Sequence, residues 1–248
     1  MRLESRRPSR LWPLFGVAAL AAACSAGPDD VVGQSEGALL APDGPTLSPD
    51  VADRLPKYRR LRDLARRHGI EDTGYLFAGI GITETGLVHC WSEATWACQG
   101  PRSADCGGGP VIAGAADGPC SHRQGGLGMF QFDAGTYADT IATYGERVLS
   151  LDGQVPLAIA YVVRMVKNSI YIAADLDTDD EAMAWLNAFD ATDAGLRDQW
   201  VRTVVRYYNG CQPSWSCWQP RLRTYAEGLS LAISEPGGPE FWSVPTTN

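Results

Sequence analysis

Glu84 is the residue of this sequence whose surroundings most clearly favour acid catalysis. It lies in the stretch GIGITETGLVHC, residues 79–90, and is the only Asp, Glu, Lys or Arg between Asp72 and Glu93. Apolar surroundings disfavour the ionised form of a carboxyl group and raise its pKa, so such a group can keep a proton near neutral pH. Glycoside cleavage uses an acid of this kind to protonate the leaving oxygen. From this stretch alone, a buried acid held by local hydrogen bonds or by an arginine is an equal alternative.

A second carboxylate would be needed for hydrolysis of a glycosidic bond. It lies about 6.5 to 9.5 Å from the acid in inverting enzymes and about 5 to 5.5 Å in retaining ones. The candidates are Asp105, Asp117 and Asp133. We expect Asp133 to be the N-cap of a helix that begins near Ala134. Asp105 and Asp117 are expected to be solvated loop acids.

The elements that must position Glu84 are mostly helices. Residues 74–87 are apolar nearly all round, which predicts a helix in the core with Glu84 near its C-terminal end. Apolar residues at three- and four-residue spacing predict an amphipathic helix before it, from about 57 until Gly69. Thr178 and Glu181 have the spacing of a capping box. The remaining helices are predicted at 134–147, 154–174, 179–190, 193–209 and 218–234.

Residues 88–128 are rich in glycine and cysteine, which predicts a loop or small hairpin held together by disulfides. The chain has seven cysteines, and assigning Cys24 to another role leaves an even set. We expect Cys211 to pair with Cys217 and the other four to form two bridges within 90–120. Zinc is disfavoured because no CxxC pair exists. The disulfide candidates are Cys90, Cys98, Cys106, Cys120, Cys211 and Cys217.

The first 23 residues have the pattern of an export signal. A basic start with four arginines is followed by LWPLFGVAALAAA, thirteen uncharged residues, before Cys24. The ending AAAC resembles the lipobox of bacterial lipoproteins, which implies that Cys24 is lipidated. Ser25 after it favours the outer membrane, facing the periplasm. An ordinary signal peptide that leaves Cys24 free is the alternative.

Four domain segments follow from these patterns. Residues 1–23 are the signal peptide, 24–50 a flexible tether rich in Gly, Pro, Ser and Asp, 51–235 the folded domain and 236–248 a C-terminal tail. Residues 1–23 contain four of the 21 basic and one of the 29 acidic residues, so the rest carries 17 basic and 28 acidic residues, net −11. Such a charge disfavours binding of nucleic acid by phosphate neutralisation. Membrane attachment would therefore depend on acyl chains.

Three segments in order resemble the lysozyme-like lytic transglycosylases. They are ITETG at 82–86, GGLGMFQFDAGTY at 125–137 and RYYNG at 206–210. The family pattern is a catalytic Glu followed by Ser or Thr and Gly at a helix end, a Gly-Leu-Met-Gln segment, and a Tyr-Asn motif ending a late helix. This sequence departs from it by one extra residue between Met129 and Gln131 and by a longer gap between the first two motifs. The lead-in at 61–86 is also similar, and the resemblance covers roughly residues 55 to 232.

The resemblance implies a mainly α (α+β) lysozyme-like fold and a role for each matching residue. Glu84 would protonate the oxygen between N-acetylmuramic acid and N-acetylglucosamine and then act as base, giving a 1,6-anhydro product without a second carboxylate. Gly128, Met129 and Gln131 would line the saccharide groove, while Tyr208 and Asn209 would bond near the acid and the substrate's acetamido group. Gln131 as a loop-capping amide and Tyr208 as a helix-end core aromatic are the alternatives.

Several readings of the whole chain stay open on the sequence. The first is a monomeric, lipid-anchored lytic transglycosylase of the bacterial cell envelope that acts on peptidoglycan glycan strands with no cofactor or metal. The others are a hydrolytic muramidase of the goose-lysozyme kind, a chitinase or chitosanase, and a glycan-binding lipoprotein without activity. Four tryptophans beside the cysteines are either sugar-subsite walls or fillers of loop gaps. They are Trp91, Trp96, Trp215 and Trp218.

Overall fold

The computed structural model describes residues 51–94, 97–114, 120 and 126–244. The predictions for the leader, for Cys24 and for the tether concern residues outside this part. So do those for Trp96 and Asp117. The described chain is mainly helical, as predicted, with one two-stranded antiparallel sheet. Its elements are α1 (Val51–Arg67), α2 (Tyr75–Thr85), β1 (Cys98–Arg102), β2 (Pro110–Ala113), α3 (Tyr137–Tyr144), α4 (Leu151–Asn168), α5 (Asp179–Asn187), α6 (Ala194–Thr203), α7 (Trp218–Ser234) and α8 (Glu240–Ser243).

Helix α1 forms because apolar residues at helical spacing bury one face. Tyr58, Leu61 and Leu64 are almost completely buried, with arginines between them on the outer side. The helix begins earlier than the predicted position 57 and ends just before Gly69, which adopts φ +88°. None of the helices in the described ranges is both long enough and apolar enough to cross a membrane.

Helix α2 lies in the core, as its apolar sequence predicts. Nine of its eleven residues are buried, and it ends at Gly86 in the left-handed conformation with φ +66°. It packs closely against α7 where two glycines meet. A Cβ atom on Gly79 would lie 3.0 Å from the Cα of Leu229, so the two backbones are nearly in contact. Gly79 of α2 and Gly228 of α7 therefore fix how α7 lies along α2.

The cysteine-rich region forms the predicted hairpin of β1 and β2. The hairpin is antiparallel, with an irregular register between Gln99 and Arg102. Two bridges hold this region and a third closes the loop before α7, which confirms the predicted Cys211–Cys217 pair and the two bridges expected within 90–120. The bridges are Cys90–Cys106, Cys98–Cys120 and Cys211–Cys217.

The later helices form with some changed boundaries. The Thr178–Glu181 capping box is present at the start of α5, as predicted. Helix α4 begins at Leu151 and ends at Asn168, earlier than the predicted 174. There the chain turns at Ser169, whose Oγ lies 2.5 Å from Oγ1 of Thr203.

The start of α3 and the end of α6 differ from the prediction. Asp133 is not an N-cap: its Oδ1 accepts a bond from Gly135 N at 2.6 Å, and Thr136 caps α3 in a capping box with Asp139. Two candidate caps precede this helix, and the one with an acid three residues later forms the box. The predicted single helix 193–209 is α6 followed by a π turn, Val204–Tyr208.

Residues 236–244 belong to the folded domain and are not a tail. Trp242 in α8 is 0% exposed, and its Nε1 donates to Ala232 O at 3.1 Å. Its ring packs edge-on against Tyr58 of α1 and Tyr75 of α2. The glycines and prolines of 236–239 turn the chain back to the core, and the predicted boundary at 235 is wrong for that reason.

Candidate active site

Glu84 lies in the last turn of α2, two residues before the glycine that ends the helix. It is partly exposed, while its neighbours Thr83 and Thr85 are buried. Both threonine hydroxyls bond back to backbone oxygens one turn earlier, Gly79 O at 2.9 Å and Gly81 O at 3.0 Å. The carboxyl group therefore stands at the edge of the core, on a helix end fixed by its two neighbours.

Tyr225 of α7 donates a hydrogen bond to Oε1 of Glu84. The tyrosine is only 3% exposed. Burial and the negative charge of Glu84 raise the pKa of Tyr225 well above its usual range, so the hydroxyl keeps its proton. Close packing of α7 on α2 brings the two groups together, because Gly228, one turn after Tyr225, leaves room for Thr83.

The segment of the second motif runs beneath this helix end. The carbonyl oxygen of Met129 accepts a bond from Oγ1 of Thr85 at 3.0 Å. Gly128 has φ +64°, and a Cβ atom there would overlap with the side-chain amide of Gln154 and lie 2.8 Å from Nδ1 of His89. Only glycine fits this position.

Gly128 and Met129 are buried, with Met129 at 0% exposure. Neither can contact a saccharide directly, so the prediction that they line the groove is corrected to a packing role. The extra residue in LGMFQF leaves Gln131 with φ +49°, partly exposed, and its Nε2 donates to Gly128 O at 2.7 Å. Gln131 thus makes the bond of a loop-capping amide from a strained backbone position.

Tyr208 of the third motif is joined to the second motif. Its hydroxyl donates to the carbonyl oxygen of Phe130 at 2.5 Å. Burial and the charge of Glu84 raise the pKa of Tyr208 well above its usual range. The π turn that ends α6 presents this side chain, and such turns are frequent at functional sites. Asn209 caps the turn and is partly exposed, so it remains a candidate binding residue.

Two further tyrosines extend the site beyond Tyr208. The ring of Tyr161 on α4 lies edge-on to Tyr208, with centroids 5.4 Å apart. Tyr144 on α3 lies near enough to both that ionisation of its hydroxyl would raise their pKa values. Burial raises the pKa of Tyr144 and Tyr161, so the four tyrosines present neutral hydroxyl groups. We call Tyr144, Tyr161, Tyr208 and Tyr225 the tyrosine cluster.

Three members of the tyrosine cluster were missed from the sequence. Tyr144, Tyr161 and Tyr225 come from helices far apart in the chain, and no spacing links them to Glu84. The one available signal for Tyr225 was Gly228, a small residue inside a predicted helix, which marks a close approach of another backbone.

The prediction that Asp105 is a solvated loop acid is wrong, because its carboxylate has a structural role. Its Oδ2 accepts bonds from Leu151 N at 2.8 Å and from Arg60 at 3.0 Å. Burial alone would raise the pKa of Asp105, but these two donors outweigh it and lower the pKa below its usual value. The carboxylate holds the hairpin region to the start of α4 and to α1.

The tryptophans that the structure describes divide between the two readings. Trp91 packs in a small apolar cluster and donates to Ala97 O at 2.8 Å, while Trp218 is buried against Tyr171. Both fill gaps. Trp215, in the loop closed by Cys211–Cys217, is 42% exposed and stays a candidate subsite wall.

Comparisons of the chain with protein-family models, with curated proteins and with solved structures find no match.

Proposed function

We propose that this protein is a peptidoglycan lytic transglycosylase with a lysozyme-like catalytic domain and Glu84 as its acid and base. The substrate is the β-1,4 bond between N-acetylmuramic acid and N-acetylglucosamine. A signal peptide at 1–23 and a lipid on Cys24 would anchor the domain to the cell envelope, with 24–50 as tether. The resemblance of the three motifs is the starting point of this proposal.

The observation that carries the proposal is that the three motifs, far apart in sequence, meet at Glu84. Thr85, next to the acid, bonds to Met129 of the second motif. Tyr208 of the third motif bonds to Phe130, the residue that follows. Two hydrogen bonds thus join segments separated by 44 and 78 residues. A chance occurrence of three short motifs would not require them to be neighbours in space.

The partial exposure of Glu84 suits proton transfer to a bound sugar. Glu84 delivers its proton to the glycosidic oxygen, and the bond from that oxygen to C1 of the muramic acid breaks. The C6 hydroxyl of the same residue then bonds to C1, and the carboxylate takes up the proton that this hydroxyl loses. The 1,6-anhydro product forms without water, so no second carboxylate is required.

Tyr225 and the tyrosine cluster support these steps. Tyr225 holds Oε1 of Glu84 and so fixes the orientation of the carboxyl group. Its hydrogen bond also stabilises the carboxylate that is left after the first proton transfer. Neutral hydroxyl groups suit a polar, uncharged sugar ring: three of them already donate their hydrogen within the protein, and their oxygens can still accept bonds from the hydroxyl groups of the sugar.

The decisive experiment combines one substitution with product analysis. Purified sacculi are incubated with the wild-type chain, with Glu84→Gln and with Glu227→Gln, a control that changes an exposed glutamate on α7. The soluble products are identified by mass spectrometry. We expect anhydro-ended muropeptides from the wild type and from Glu227→Gln, and none from Glu84→Gln, which should still bind sacculi.

Each other outcome identifies a different function. Reducing-end products from the wild type would show a hydrolytic muramidase. Binding without products in all three chains would show a glycan-binding protein. Cleavage of chitin oligosaccharides in preference to sacculi would show a chitinase, and unchanged lysis by Glu84→Gln would place the chemistry elsewhere.

A further inference from the structure

The arginines of the described chain fall into two groups. Most of them donate to a carboxylate or to another oxygen, as Arg54 does to Glu235 at 2.5 Å and Arg102 does to Gly108 O at 3.2 Å. Five form neither an ion pair nor a side-chain hydrogen bond within the residues that the structure describes. These are Arg59, Arg164, Arg206, Arg221 and Arg223. Four of the five belong to α4, to the π turn or to α7, the segments that carry three of the four members of the tyrosine cluster.

Arg221 is connected to Glu84 by way of Tyr225. It is one helical turn before Tyr225 on α7, so both side chains leave the same face of that helix. Its positive charge acts on the Tyr225 hydroxyl, the group that bonds to Glu84. Arg221 is partly exposed, so its guanidinium group is accessible one helical turn from the tyrosine that bonds to the acid.

Arg164 lies at the other end of the tyrosine cluster. Its Cζ atom is 5.9 Å from the ring centroid of Tyr161, which packs edge-on against Tyr208. Arg164 is exposed. Burial raises the pKa of Tyr144, whereas the positive charge of Arg164 lowers it.

We propose that Arg164 and Arg221 bind carboxylate groups carried by the glycan strand, at two positions beside Glu84 and the tyrosine cluster. This inference rests on the proposed function and adds which groups of the substrate the protein recognises. The strand that the site favours is one that bears ionised carboxylates, on peptide stems or on the lactyl groups of muramic acid, and not a neutral chitin-like polymer.

The charge balance of the chain supports this choice. Residues 24–248 carry 17 basic and 28 acidic residues, so the protein as a whole repels an anionic polymer. Local cations with no carboxylate partner among the described residues would offset this repulsion where the strand binds. Guanidinium groups suit the role because their planar N–H groups match a carboxylate in two parallel bonds.

Binding to sacculi of three kinds tests the proposal. The first kind is untreated, and the second is stripped of stems by an amidase, which leaves a free lactyl carboxylate on each stripped muramic acid. The third has its carboxylates converted to neutral amides. The full chain is used in the Glu84→Gln background so that nothing is cleaved. Arg164→Ala/Arg221→Ala is compared with Arg59→Ala, an exposed arginine of α1 that also lacks a partner within the described residues.

We expect the double variant to bind untreated sacculi about five- to tenfold more weakly, the size expected for two partly exposed charge pairs. On amide-converted sacculi it should equal the parent, and Arg59→Ala should equal the parent throughout. A defect that persists on stripped sacculi shows that a free lactyl carboxylate can also serve as the ligand, and one that disappears shows that only the stem carboxylates do. Arg164→Lys/Arg221→Lys should restore most of the binding, which a folding defect would not allow.

Equal binding of the double variant and the parent to untreated sacculi would overturn the inference, and so would an equal loss on amide-converted sacculi. Neither result touches the proposed function, which Glu84→Gln tests separately by its products. Failure of the parent chain to bind any of the sacculi would refute both.

Discussion

Replacing Gly228 by alanine tests whether the packing of α7 on α2 sets the catalytic geometry. A Cβ atom at this position would overlap with Oγ1 of Thr83 and lie 2.8 Å from Gly79 O. Thr83 cannot simply rotate away, because its hydroxyl bonds to Gly79 O at 2.9 Å. The helices must therefore move apart.

The size of the effect follows from two opposing terms. Overpacking of this kind costs roughly 1 to 3 kcal/mol, and alanine regains up to about 1 kcal/mol through its higher helix propensity. Because the overlap involves a backbone oxygen, we expect the upper part of the cost and a net loss of about 2 kcal/mol. For a domain of this size the unfolding midpoint should fall by roughly 4 to 8 °C.

The loss of activity should exceed the loss of stability. Tyr225 lies one turn before Gly228, so a shift of α7 by about 1 Å moves its hydroxyl away from Glu84 and can cost roughly a hundredfold in rate. Thermal unfolding followed by circular dichroism, together with turbidity clearing of sacculi below the midpoint, measures both quantities.

Two further variants complete this test. Gly195→Ala on α6 is the matched control, since its Cβ would meet only a cap carboxylate at 3.1 Å, and it should leave the midpoint unchanged or higher. Thr83→Ala combined with Gly228→Ala should recover part of the stability, because it removes one of the two overlaps. A midpoint for Gly228→Ala as high as that of Gly195→Ala would refute the reasoning.

Two other predictions concern buried polar groups. Tyr225→Phe should lower the lytic rate about ten- to hundredfold, the worth of a hydrogen bond to a charged group, while Tyr171→Phe, whose hydroxyl has no bond to any described residue, should not; equal rates would exclude Tyr225 from the mechanism. Burial lowers the pKa of His89, so the unfolded chain binds a proton more readily and the free energy of unfolding should fall as pH drops below about 6.5. His89→Gln should weaken this dependence in urea titrations at pH 5 and 7, and an identical dependence in both proteins would contradict the assignment.

Local patterns in the sequence were enough to predict most elements. The buried helix that carries Glu84, the disulfide-bonded hairpin and the Thr178 capping box depend on residues close together in the chain. The pairing of Cys211 with Cys217 is equally local. Where the physical cause lies within a few residues, the sequence displays it directly.

Contacts between distant segments could not be predicted in the same way. Tyr225 reaches Glu84 across 141 residues, and only the glycine contact between two helices brings them together. Met129 lies within the second motif yet packs in the core, because burial depends on what covers a segment and not on its own residues. Asp133 is wrongly predicted as a cap because Thr136, three residues later, competes for the same role. Asp105 is wrongly predicted as solvated because its partners Arg60 and Leu151 are remote in sequence.

The buried position of Trp242 also constrains the order in which the chain folds. The indole fills the space between α1 and the start of α2, so that part of the core stays open until α8 has been synthesised. The earliest described helix therefore completes its packing only when the last one is in place, and loss of α8 would expose the rings of Tyr58 and Tyr75.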